Sequence, residues 1–208
     1  MKNLSLLLLT ALLCGCISSS EPFYTESSKV KDDRLIGTFT DEKNSTSVTI
    51  EEEDEENYII KYSLPEGDVI FSGTLFELGD DTYIDIVMLS SEFEEGGSRT
   101  VPGPGDFIKR IFMSERHVIL GIEIDEGSIE LKGNDHLSFN KFRDSYVMQL
   151  QSVDLLKRIQ MKEDLIHVEG DPAPLLPSIS AAYQSGDIFQ QSGTLTRRAN
   201  QSGDDNSE

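Results

Sequence analysis

Histidines and carboxylates are the side chains of this chain best equipped for acid–base or metal chemistry. His117, His136 and His167 lie far apart and show no paired metal-ligand spacing, so each reads as a surface or strand-end residue. Asp80, Asp81 and Asp85, or the acidic run 51–56, offer the oxygen ligands that Ca²⁺ takes. Such clusters are ordinarily solvated turns, and no metal is assigned to them. Asp85 differs, because it sits among Tyr83, Ile84, Ile86, Val87 and Met88. If its face points inward, its charge must be paired or its proton affinity raised. Arg99, Lys109, Arg110 and Arg116 are candidate partners, and His117 would meet Asp85 if their strands paired. Tyr83, Asp85, Arg116 and His117 therefore form a candidate ligand-binding set. No G-x-S-x-G, H-E-x-x-H, phosphate-loop, dinucleotide or EF-hand pattern occurs. No catalytic residue and no cofactor is assigned. Carboxylate catalysis needs two carboxyl groups of separated pKa in one pocket. Asp and Glu are so abundant here that their presence discriminates nothing.

These residues stand behind an export signal. Lys2 supplies a positive start, and residues 4–13 form an apolar stretch interrupted only by Ser5 and Thr10. Its length suits a signal peptide and falls short of the roughly 20 apolar residues that span a bilayer. It ends in Leu13-Cys14-Gly15-Cys16, which resembles the lipobox of bacterial lipoproteins. The resemblance implies cleavage before Cys16 and lipidation of that cysteine; Cys14, with bulky Leu13 before it, is the poorer acceptor. Ile17 follows where Asp would favour the inner membrane, so the expected address is the outer membrane, facing the periplasm. Both cysteines are then used, leaving the mature chain no free thiol and no disulfide.

The chain carries a formal net charge of −20. A surface so acidic repels nucleic acid and anionic headgroups, and nucleic-acid binding is not expected. It keeps the protein soluble and would favour a cationic partner. Expected contacts are the membrane through the lipid, and an envelope protein or a small amphiphilic ligand.

Four segments follow from composition and periodicity: a signal peptide at 1–15, a lipidated serine-rich tether at 16–33, a β domain at 34–190, and a flexible acidic tail at 191–208. Within the domain, short alternating segments recur between turn signals. They lie at 35–41, 47–52, 58–64, 69–78, 82–89, 116–124 and 128–132. Gly73 inside the fourth suggests a bulge or bend. The stretch 90–106, with Gly96-Gly97 and Pro102-Gly103-Pro104-Gly105, is a long loop suited to a binding mouth. The basic and apolar stretch 107–113 reads as a strand or a short helical turn. The period then lengthens: 152–161 reads as an amphipathic helix capped by Ser152, and 178–184 as a short helix capped by Ser178. Residues 145–150 fit either a strand or the start of the first helix. The expected fold is mainly β: an antiparallel meander curled into a small barrel or half-barrel, with one or two short helices toward the C-terminus.

Leu35-Ile36-Gly37-Thr38-Phe39, Phe71-Ser72-Gly73-Thr74-Leu75-Phe76-Glu77-Leu78-Gly79, the Tyr83–Ile86 strand, the 117–124 strand and Asp154-Leu155-Leu156-Lys157 form a recurring set of glycines, turns and core positions. Through them residues 34–160 resemble the lipocalin-like domains of a group of bacterial lipoproteins. Phe39 stands where that group commonly has tryptophan, and the chain has none. The resemblance implies the barrel and no activity. Two functions remain in view: a non-catalytic lipoprotein binding an amphiphile or a protein partner, and an envelope hydrolase using paired carboxylates.

Overall fold

The computed structural model describes residues 16–41, 46–64, 67–91, 116–133, 140–150, 152–162, 165–189 and 191–198. The strands are β1 (Cys16–Ser19), β2 (Gly37–Thr40), β3 (Ser47–Glu52), β4 (Asn57–Leu64), β5 (Gly67–Leu78), β6 (Asp81–Ser91), β7 (His117–Ile124), β8 (Ser128–Gly133), β9 (Ile159–Lys162), β10 (Leu165–Val168) and β11 (Gln191–Arg197). Two helices lie near the C-terminus, α1 (Val153–Arg158) and α2 (Leu176–Gln184).

The expected meander runs from β2 to β8, each strand antiparallel to the next. β11 pairs with both β8 and β2, which closes an eight-stranded antiparallel barrel. Closure satisfies backbone groups that a half-barrel would leave on two edges. β11 occupies the first part of the expected tail at 191–208; the residues beyond 198 lie outside the described ones. Polar Gln191, Ser192, Thr194 and Thr196 hid this strand, in which barrel pairing sets buried Leu195 against Ile129 on the inner face.

Alternation fixes what faces inward. Val118, Leu120 and Ile122 of β7 join Ile84 and Ile86 of β6, Phe71 and Leu75 of β5, and Phe39, Val48 and Ile50 in one apolar core inside the barrel. Gly73 also belongs to this wall. A Cβ there would lie 2.6 Å from Ile60 Cδ1, so its small size serves close packing. The register shift between β5 and β6 falls at Ile70/Phe71 instead, where β6 carries the extra residue, Leu89. A second core lies outside the barrel, where Phe76, Tyr83 and Ile119 point outward under α1, α2, β1, β9 and β10.

Residues 16–33 are packed into the domain, correcting the expected tether. β1 pairs antiparallel with the start of β7 and parallel with β10, and Ile17, Ser18 and Ser19 are buried. Their serine content suggested a flexible segment, but Ile17 and Phe23 supply the apolar contacts that hold it. The strap 20–36 then climbs the outer wall. Val30 and Glu77 exchange backbone hydrogen bonds with Leu75 and Ser28 beside the end of β5. A 3-10 turn, Asp33–Leu35, sets buried Leu35 into that end of the barrel. The helical stretch expected at 152–161 stops at Arg158, and the chain turns into the hairpin β9–β10. Ser152 caps α1, accepting a hydrogen bond from Leu155 N–H at 3.2 Å. α2 opens at Leu176 with Pro177 in its first turn, so Ser178 lies inside the helix and caps nothing. Residues 143–147 form a π-helical turn.

Candidate functional site

β6 and β7 pair with Asp85 opposite Ile119 and Ile86 opposite Val118. The outward faces of the two strands therefore bring Asp85 and His117 together. His117 Nδ1 lies 2.9 Å from Asp85 Oδ1, and Phe23 N–H of the strap donates to Asp85 Oδ2 at 2.8 Å. The Asp85 side chain is 1% exposed and that of His117 is 18% exposed. Each carboxylate oxygen thus has a donor, as a buried anion requires. With Asp85 ionised, the Nδ1 proton belongs to His117. The neutral ring then presents Nε2 as an acceptor, and the charged ring presents it as a donor.

The pair borders a groove of about 580 Å³ on the outer wall. Its other side is polar. Ser72 donates to Glu53 Oε2 at 2.9 Å, Thr74 donates to Asn57 Oδ1 at 2.6 Å, and the Asn57 amide donates to Asp54 at 2.9 Å. Val87, Met88 and Leu89 give it an apolar flank, and Tyr24 and Ser20 of the strap complete the lining. This arrangement can bind a molecule having both a hydrogen-bonding head and an apolar part. Among the described residues, no hydroxyl is hydrogen-bonded to His117, and no three His, Cys, Asp or Glu side chains are grouped to hold a metal ion.

Of the four predicted residues, the structure joins Asp85 and His117. Tyr83 shares their outward face but lies fully buried in the second core, packed against Tyr183 and Phe189 with ring centroids 5.5 and 6.0 Å away. It offers a ligand no surface. Desolvation raises its phenol well above the ordinary range, with the charge of Asp81 adding to the effect. Arg116 is half-buried beside His117 but does not line the groove, and it makes no ion pair with Asp85 among the described residues. Arg99, Lys109, Arg110, His136 and the 96–105 loop lie outside the described residues. The sequence reading missed Phe23, whose contribution is a backbone N–H, and Asn57, Ser72 and Thr74. The alternation of Ser72 and Thr74 with Phe71, Gly73 and Leu75 was the available signal for a polar outer face.

His167 has a different role. Its Nδ1 lies 3.0 Å from Ser18 Oγ, and its Nε2 lies 3.7 Å from Glu169 Oε2. These are residue types of an acyl-transfer triad, but Ser18 is completely buried, and the contact ties β1 to β10. A second pocket, of about 470 Å³, opens at the end of the barrel beneath the strap. Asp32, Glu77, Asp80, Asp81, Glu123 and Asp125 line it with Leu75 and Ile122.

Fold and groove together define a closed eight-stranded antiparallel barrel with a hydrogen-bonded Asp–His pair in a polar recess on its outer wall. No protein-family model matches the chain, and no curated protein or solved structure matches it.

Proposed function

We propose that this protein is a non-catalytic, lipid-anchored lipoprotein of the bacterial envelope whose lipocalin-like barrel carries a small amphiphile in the Asp85–His117 groove. The observation that carries this reading is the His117 ring, fixed by a buried carboxylate at Nδ1 and lining the groove. A ring held this way selects a ligand group at little cost in side-chain entropy. The hydroxyl and carboxylate network receives the ligand's polar head, and Val87, Met88 and Leu89 meet its apolar part. Anchoring rests on the lipobox ending in Cys16. Several acyl chains, at about 0.8 kcal/mol per buried methylene, hold such a protein durably on a membrane. The outer membrane, facing the periplasm, is the proposed address.

Paired-carboxylate hydrolysis has less support. Asp85 is buried, but Glu53 and Asp54 in the same groove are exposed and already engaged with Ser72 and Asn57. Native mass spectrometry of protein gently extracted from its own membranes tests the proposal. The expected result is an acylated Cys16 amino terminus and a co-purifying small molecule that is lost in His117→Ala. Protein that repeatedly emerges without any bound small molecule would overturn the binding reading.

A further inference from the structure

Four of the five exposed large apolar side chains among the described residues fall in one short segment: Met148, Val153, Leu156 and Met161. They lie in and around α1 and the following strand β9. Val153 and Leu156, three residues apart, share the outward face of α1, while Leu155 is buried in the second core. Between 148 and 164 the basic residues Lys157, Arg158 and Lys162 balance the acidic Asp154, Glu163 and Asp164, so the stretch is neutral inside a protein of net charge −20. Lys157 is highly exposed, with Asp154 Oδ1 3.9 Å from its Nζ, and Arg158 donates to the Glu169 and Asp171 carbonyls. An apolar face edged by cations is the composition of a surface that settles into an anionic bilayer interface.

Its position names the bilayer. β9 pairs with β10, and β10 with β1, so that Cys16, Leu165 and Lys162 lie abreast in three adjacent strands. At about 4.8 Å per strand, Cys16 and Lys162 are roughly 10 Å apart. Because β1 is built into the sheet, no tether separates a lipid on Cys16 from this surface. We infer that the α1–β9 surface lies on the anionic membrane that holds the lipid of Cys16, so that the barrel rests on the bilayer in one fixed orientation. The inference rests on the proposed anchor at Cys16. The Asp85–His117 groove would then keep a constant direction relative to the membrane.

The chain has no tryptophan, so a single introduced one reports its own surroundings. Lipidated protein bearing Leu156→Trp, and separately Glu55→Trp in the β3–β4 turn, is placed in phosphatidylethanolamine–phosphatidylglycerol vesicles with brominated acyl chains. Strong quenching at 156 and none at 55 is expected; equal sparing of both overturns the inference. In a second arm, the chain from residue 16 with Cys16→Ser is added to unbrominated vesicles of the same two lipids. It should bind them and bind vesicles of phosphatidylcholine alone much less, and Lys157→Ala should weaken binding about five-fold. Both substituted positions are exposed, and circular dichroism verifies the fold. Acylated Cys16 with an unquenched Trp at 156 leaves the anchor standing and removes the surface. A Cys16 without lipid on a chain that still binds the anionic vesicles does the reverse.

Discussion

Asp85 is a charge held in the wall by two donors, and each contact has its own consequence. Asp85→Ala leaves Phe23 N–H without its buried acceptor, an expected loss of about 2–3 kcal/mol read by urea unfolding. Asp85→Asn keeps the shape but turns an N–H toward His117 Nδ1 whenever the amide oxygen accepts from Phe23. The neutral ring then holds its proton on Nε2, so the groove exchanges an acceptor for a donor. Imidazole ¹⁵N shifts should report the exchanged tautomer, and ligand retention should fall with little loss of stability. An unchanged tautomer would refute this account of the pair. Tyr83 offers the opposite case. Its buried hydroxyl has no hydrogen-bond partner among the described residues, so Tyr83→Phe removes an uncompensated polar group. Its stability should be unchanged or higher by up to about 1 kcal/mol, and a loss of that size or more would show a partner for the hydroxyl.

Closure of the barrel depends on β11 and on one glycine. Arg197 of β11 lays its guanidinium 4.7 Å from the Phe39 ring centroid and donates to the Ile36 carbonyl at 2.6 Å. Gly37 makes room for it: its φ is +147°, and a Cβ there would lie 2.3 Å from Arg197 Nη1. Gly37→Ala should therefore cost about 2 kcal/mol or more, measured by urea unfolding. Ending the chain at residue 190 removes β11 and exposes the edges of β2 and β8. Loss of a cooperative unfolding transition and a tendency to associate through these edges are expected. A monomer that still unfolds cooperatively would show that the meander β2–β8 stands without closure. The strap closes the same end of the barrel, where Asp32 N–H donates to the Tyr58 hydroxyl at 2.9 Å and Arg34 forks onto the Asp32 carboxylate.

For the whole molecule, stability should fall at both pH extremes, through different groups. Arg34 and Lys61 hold the carboxyls of Asp32 and Asp68 below the ordinary range, and Lys141 with Tyr146 does the same for Asp187. Lowered in the folded state, these groups contribute stability above the unfolded carboxylate pKa of about 4 and lose it as pH falls through their folded values. Desolvation raises the Tyr58 and Tyr83 phenols, so their contribution is complete below the unfolded pKa of about 10 and is lost as pH rises through the folded values. A thermal-melting series across pH should show both declines, with Tyr83→Phe flattening the alkaline one. The antiparallel order β2 to β8 was legible because Val118, Leu120, Ile122 and Ile124, like Tyr58, Ile60, Tyr62 and Leu64, alternate within one chain segment. β1 and β11 were not, since their polar sequences are ordered only by pairing with strands distant in sequence, β7 and β10 for one and β8 and β2 for the other. Asp85 could be singled out as a charge in an apolar strand, yet the sequence could not choose among five cationic or ionisable neighbours. The sequence by itself determined the acidic net charge and the period-two strands, because these depend on composition and near neighbours. Only the tertiary structure decided that His117 is the partner of Asp85, that the segment after Cys16 is a strand, and that the barrel closes, because each depends on register between segments distant in the chain.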